Sequence, residues 1–289
     1  MKAEKKRVGI KAQIRAENER GRRVATAIFL AIILASAALS AYFGYTILNP
    51  STPPNSIEPT LQFKPENPNP KLKAAIVDQL SLTFPNQAFM ETAANILNQA
   101  GYSVDYYRGE KVTVELYARL PRLEYGLIVL RAHSGFIIGG GTSTFLFSSE
   151  PYSAQEHISE QLTDQLAMAR LTPGGPLYFG LGKNFVESGM QGTFNKTTII
   201  MMGCNGLTYT DMAQAFVNKG AKVFIGWNCG ISASDTDEAT TCLLRNMITE
   251  NRTVGNALDD AIKIVGSMLA PNDTLEYYPP ESGTYTIQR

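Results

Sequence analysis

The chain has 289 residues, 44% of them hydrophobic, which is enough to bury a full core, and one domain with appendages is the expected organisation. Its 26 Lys+Arg and 26 Asp+Glu cancel overall but not locally. Residues 1–23 carry nine basic side chains against three acidic ones, a net +6, so the remainder is negative and excludes nucleic acid as its partner.

After the basic arm, Val24 to Leu48 (VATAIFLAIILASAALSAYFGYTIL) contains no charge. At about 1.5 Å per residue such a helix exceeds the roughly 30 Å hydrocarbon core of a bilayer. Tyr42 and Tyr45 lie near one end, as suits the headgroup level. A cleaved signal peptide has a shorter apolar core of about 7–15 residues, so the run reads as an uncleaved transmembrane anchor. The basic flank predicts a cytoplasmic N-terminus, with everything after Leu48 outside the membrane. Residues 49–72 hold seven of the fifteen prolines and read as a stiff linker, with the folded domain expected over 73–289.

From Lys73 short apolar runs alternate with helical patterns. KAAIVDQL predicts a buried strand, NQAFMETAANILNQAG an amphipathic helix closed by Gly101, SVDYYRG a strand and VTVELYARL a helix. YGLIVLRAHSG predicts the third strand. A polar, Gly-rich excursion over 136–176 follows, with a helix expected around AQEHISEQLTDQLAMAR. TTIIMMGCNG is a strand, DMAQAFVNKG a helix and AKVFIGWNCG a strand, and two helices are expected over 235–250 and 253–268. This alternation predicts an α/β fold with a mainly parallel central sheet and helices on both faces. LIVL, TIIMM and KVFIG read as buried on both sides, as central parallel strands are.

In such a sheet, ligands and chemistry sit beyond the carboxyl ends of the strands. One strand ends at His133, one of two histidines, and another at Cys204, one of three cysteines. If those strands are neighbours, an imidazole stands beside a thiol, the pairing that makes a thiolate nucleophile. Other strand ends carry Asp78 and Trp227-Asn228. Rival readings stay open for each residue. His133 can be a hydrogen-bonded rim residue, and Cys204 a buried apolar thiol. Cys229–Cys242 and Cys204–Cys229 disulfides are both open for a domain outside the cell. His157, on a polar pattern, reads as a surface residue. The scattered cysteines and two histidines form no closed zinc set, so neither a metal nor a cofactor is expected.

The ordered motifs AHSG, GCNG and GAKVFIGWN, with about 70 positions between His and Cys, resemble the caspase-like clan of cysteine peptidases, and in context its CHAT and gingipain-type domains. The resemblance covers roughly residues 73–266 and implies a three-layer caspase-like fold. It implies Cys204 as nucleophile, His133 as general acid/base, and backbone N–H groups around Ser134, Gly135 and Gly203 as an oxyanion hole. It implies Trp227 as the wall of the first specificity pocket, beside Asn228. The loop beginning at Asp78 would supply that pocket's floor, where an aspartate favours Arg or Lys before the scissile bond. Two positions depart from the family pattern: Ser134 directly after the histidine, where many members have Gly, and Gly203 directly before the cysteine, where many have Ala or Asp. The function implied is a membrane-anchored cysteine endopeptidase acting on peptide or protein outside the membrane. The alternative is an inactive module of the same fold that binds a peptide or protein partner.

Overall fold

The computed structural model describes residues 57–67, 69, 71–136, 143–266 and 269–287. The basic arm, the anchor expected from Val24 to Leu48 and the first part of the linker lie outside the described residues. Among the described residues no helix is long and apolar enough to cross a membrane.

The domain is a mixed α/β fold around a seven-stranded, mainly parallel sheet. In chain order its elements are β1 (Leu61–Phe63), β2 (Lys73–Asp78), α1 (Gln87–Gln99), β3 (Ser103–Arg108), α2 (Val114–Arg119) and β4 (Leu127–Arg131). Then come β5 (Ser134–Phe136), β6 (Thr144–Pro151), α3 (Ile158–Leu162), β7 (Leu166–Arg170) and β8 (Leu177–Leu181). The last are β9 (Thr198–Met201), α4 (Asp211–Asn218), β10 (Val223–Trp227), α5 (Ala233–Leu244), α6 (Val254–Val265) and β11 (Leu275–Tyr278). The central order is β1-β3-β2-β4-β9-β10-β11, with β1 and β11 as antiparallel edges and every pairing between them parallel.

Four of the helices start where the sequence supplies a cap. Asn86, Thr113, Ser232 and Thr253 each accept a backbone N–H from the first turn of α1, α2, α5 and α6. Gly101, at φ 91°, then turns the chain from α1 into β3. One sheet face packs Ile76, Val129, Ile200 and Ile225 against Phe89 and Leu97 of α1, Leu243 of α5 and Leu258 of α6. Burying each such side chain contributes about 1.5–3 kcal/mol. Residues of β10 alternate between layers. Ile225 and Trp227 join this core, while Phe224 stacks on Phe216 of α4 at 5.4 Å.

Three elements differ from the sequence expectation. Within the expected linker, Leu61–Phe63 pairs with β3, so the folded body begins before Lys73. Pro59 and Pro65 flank this strand without entering it, and an edge strand needs only one ladder. The long helix expected around residues 154–170 is confined to α3, because Asp164 adopts φ 54° and LAMAR leaves as β7. That strand joins a second, antiparallel sheet of order β5-β6-β8-β7, built largely from the stretch that reads as an excursion. Finally, the edge strand β11 has no counterpart in the sequence reading.

Candidate active site

Strand register sets the site. Leu130 of β4 faces Met201 of β9, and Met202 N–H donates to Leu130 O at 2.9 Å. His133 lies three residues beyond Leu130 and Cys204 three beyond Met201, so both follow paired strands at the same offset. Both line one cavity of about 660 Å³, together with Phe84, Arg131, Ile231 and Asp237.

The loop after β2 holds the histidine. Gln79 Oε1 accepts His133 N–H at 3.0 Å, and Thr83 Oγ1 lies 2.9 Å from His133 Nε2. Phe84 and Phe147 meet the imidazole edge-on at 5.9 and 6.1 Å. Burial first, and the Arg131 charge second, push the imidazole pKa down to about 4, so the ring is neutral at physiological pH. The thiol is engaged elsewhere: Ile231 N–H donates to Cys204 Sγ at 3.4 Å, and Ile231 O lies 3.5 Å from it. Among the described residues no hydrogen bond joins the thiol to the imidazole.

The Cys204 turn is tied on both sides. Ser134 Oγ–H donates to Cys204 O at 2.5 Å and Thr144 Oγ1–H to Asn205 O at 2.9 Å. Asn205 N–H donates to Cys229 O at 2.7 Å and Leu207 N–H to Trp227 O at 2.8 Å. Asn205 takes φ 59°, which Asn tolerates better than most residues. A Cβ on Gly203 would overlap the Ser134 hydroxyl and the Ala132 carbonyl oxygen. The two departures from the family pattern are therefore one feature: the missing side chain at 203 makes room for the hydroxyl at 134. Gly206 serves packing, since a Cβ there would lie 3.2 Å from Met201 Sδ and 3.7 Å from Gly226 Cα. Next to Gly135 the space is open. Phe147 N–H donates to His133 O, and antiparallel alternation then makes Gly135–Phe145 the next bonded pair. It leaves the Ser134 amide facing away from β6.

Beneath the cavity sits a buried ionic network. Arg131 Nε and Nη2 donate to Asp237 Oδ1 and Oδ2 at 2.7 and 2.8 Å, and Nη1 to Asp78 Oδ1 at 2.8 Å. Nη2 also donates to Phe84 O at 2.9 Å. Tyr106 O–H completes Asp78, and Asn86 Nδ2 completes Asp237. Arg131 is 0% exposed, Asp78 1% and Asp237 4%. One guanidinium thus faces two carboxylates in a nearly dry site. Burial raises the Asp78 pKa against the opposing pull of Arg131.

Asp78, expected as a pocket floor, lies behind Arg131 and borders a separate cavity of about 450 Å³. The carboxylate lining the Cys204 cavity is Asp237. Trp227 is buried at 1% exposure, and its Nε1–H donates to Thr236 Oγ1 at 2.9 Å. Thr236 in turn donates to Met202 O at 3.0 Å, so the indole braces the chain just before Gly203 and does not line the Cys204 cavity. Asn228 bonds Asn272 O, Glu276 Oε1 and Thr274 N–H, fastening the end of β10 to the segment leading into β11. All three cysteines are free thiols, so neither disulfide is formed. His157 is partly buried, 2.6 Å from Glu150 Oε1 and edge-on to Phe179.

The sequence pattern does not single out Arg131, Asp237, Thr83 or Ile231. A signal existed for Arg131 alone: a charge closing the fully apolar run LIVL must find a buried carboxylate. No protein-family model and no curated protein matches the chain. Among solved structures it is similar to the Arg-specific cysteine proteinase gingipain R, with 12% identity and a TM-score of 0.43. The match covers 78% of this chain and 48% of that one, so this chain spans about half of that structure's length.

Proposed function

We propose that the domain is a cysteine endopeptidase of caspase-like organisation, with Cys204 as nucleophile and His133 as general acid/base. The observation carrying this reading is that the two residues follow paired strands at the same offset and line one cavity. A neutral imidazole is suited to accept the thiol proton. Thr83 occupies Nε2, which leaves Nδ1 for the reacting groups. In the reaction the thiol leaves the Ile231 backbone and gives its proton to His133, and sulfur attacks the peptide carbonyl. The amides of Cys204 and Ser134 stabilise the oxyanion. The imidazolium then protonates the departing amine, and water hydrolyses the thioester.

Two carboxylates against one guanidinium favour a cationic side chain in the cavity. Asp237, rather than Asp78, is the residue facing it. The proposal also includes the anchor at Val24–Leu48 and a domain outside the membrane, both resting on sequence alone. Protease added to intact cells removes the domain if that orientation holds.

A second reading, a peptide-binding module without turnover, draws on the thiol's engagement with Ile231 in place of the imidazole. Mass spectrometry after treatment with peptidyl electrophiles bearing Arg, Lys, Asp or Asn separates the two. A covalent adduct on Cys204, lost in His133→Ala, supports the peptidase. Peptide binding that survives Cys204→Ser, with no adduct and no turnover, supports the binding module.

A further inference from the structure

The cleft has a second apolar feature outside the cavity. Phe136, on β5, and Tyr209, five residues after Cys204, stack at 5.3 Å with an interplanar angle of 65°. They remain 39% and 36% exposed and touch each other. Neither lines the cavity that holds Asp237 and Phe84. Alternation along β5 puts Phe136 on the same face as Ser134, whose hydroxyl bonds Cys204 O. At about 3.3 Å per residue, the aromatic pair begins roughly 7 Å from that contact. An extended peptide covers this distance in two residues. Thr144, opposite Phe136 in the ladder, ties this ledge to the Cys204 turn through its bond to Asn205 O.

We propose that Phe136 and Tyr209 form the docking surface for the part of the peptide substrate that follows the scissile bond. It selects an aromatic or large aliphatic side chain within the first two residues there. The inference rests on the peptidase reading above. The occupant follows from continuity: a peptide whose acyl part fills the cavity leaves the thiol on the opposite side, where β5 and the Cys204 turn converge. Two T-stacked rings offer dispersion and apolar burial, and they disfavour a carboxylate.

The test uses the full chain carrying Cys204→Ala and fluorescent peptides that share one acyl part. They differ only at the two downstream positions, Phe/Leu against Ser/Asp. The apolar peptides bind about tenfold more tightly, and Phe136→Ala or Tyr209→Ala removes most of that advantage. Ile264→Ala, equally exposed on α6 and remote from the cleft, leaves it intact. Equal binding of the two peptide sets overturns the inference alone. Failure of every peptide to bind overturns the peptidase reading and the inference with it. Self-association lost in Phe136→Ala, with peptide binding unchanged, overturns it in favour of a contact between copies of the chain.

Discussion

Replacing Arg131 by Met tests whether the buried network beneath the cavity is held by charge. The substitution keeps volume and removes four hydrogen bonds: two to Asp237, one to Asp78 and one to Phe84 O. Asp78 then keeps only Tyr106, and Asp237 only Asn86. Breaking a buried ion pair from one side costs about 3–5 kcal/mol, because the remaining charge is left without compensation. For a domain of this size that lowers Tm by about 10 °C. Scanning calorimetry of the full chain at pH 8 and pH 5 reads the effect. Burial already raises the Asp78 carboxyl, and removing the opposing Arg131 charge raises it further above its unfolded value. Its contribution is therefore intact below the unfolded value, near pH 4, and is lost as pH rises. The deficit is large at pH 8 and shrinks at pH 5. Arg131→Lys recovers little, since one ammonium cannot reproduce a guanidinium fork across three acceptor groups. A Tm change under about 3 °C at pH 8, or a deficit independent of pH, would refute the argument.

Three further outcomes are expected. Gly203→Ala costs about 1–3 kcal/mol in urea unfolding, and adding Ser134→Gly restores only part of it because the Ala132 carbonyl still overlaps the new methyl. Full restoration in the double variant would show that the backbone yields there. The His133 imidazole titrates near pH 4 by NMR. Because its folded pKa lies below the unfolded value, its stability contribution is present above about pH 6.5 and lost as pH falls towards 4, and a midpoint near 6.5 would contradict the assigned burial. Trp227→Phe lowers stability by about 1–3 kcal/mol in thermal melts by removing the buried donor to Thr236. A neutral outcome would mean that the brace to Met202 does not depend on the indole.

Much of the central sheet was legible because its inner strands are buried on both faces and mostly apolar, as in Leu127–Leu130 and Thr198–Met201. The second sheet was not. Its strands include exposed and polar positions, and the run AQEHISEQLTDQLAMAR carries helical periodicity until Asp164 turns left-handed and hands Leu166–Arg170 to β8. Edge strands β1 and β11 escaped notice because three or four residues paired on one side need almost no pattern of their own.

Within the site, sequence alone determined the candidates that close an apolar strand, His133 and Cys204, because a parallel sheet delivers its strand ends to one rim. It also supplied the two departures, Ser134 and Gly203. Tertiary structure decided what surrounds them. It paired β4 with β9 in a register that puts His133 and Cys204 at the same offset beyond the pair, and it joined Ser134 and Gly203 into one contact. It moved the cavity's carboxylate from Asp78 to Asp237, and it turned Trp227 and Asn228 into braces. Those outcomes depend on side chains separated by up to 151 positions in the chain, as Asn86 and Asp237 are. Local periodicity says where a strand ends, but only packing says which charge waits there.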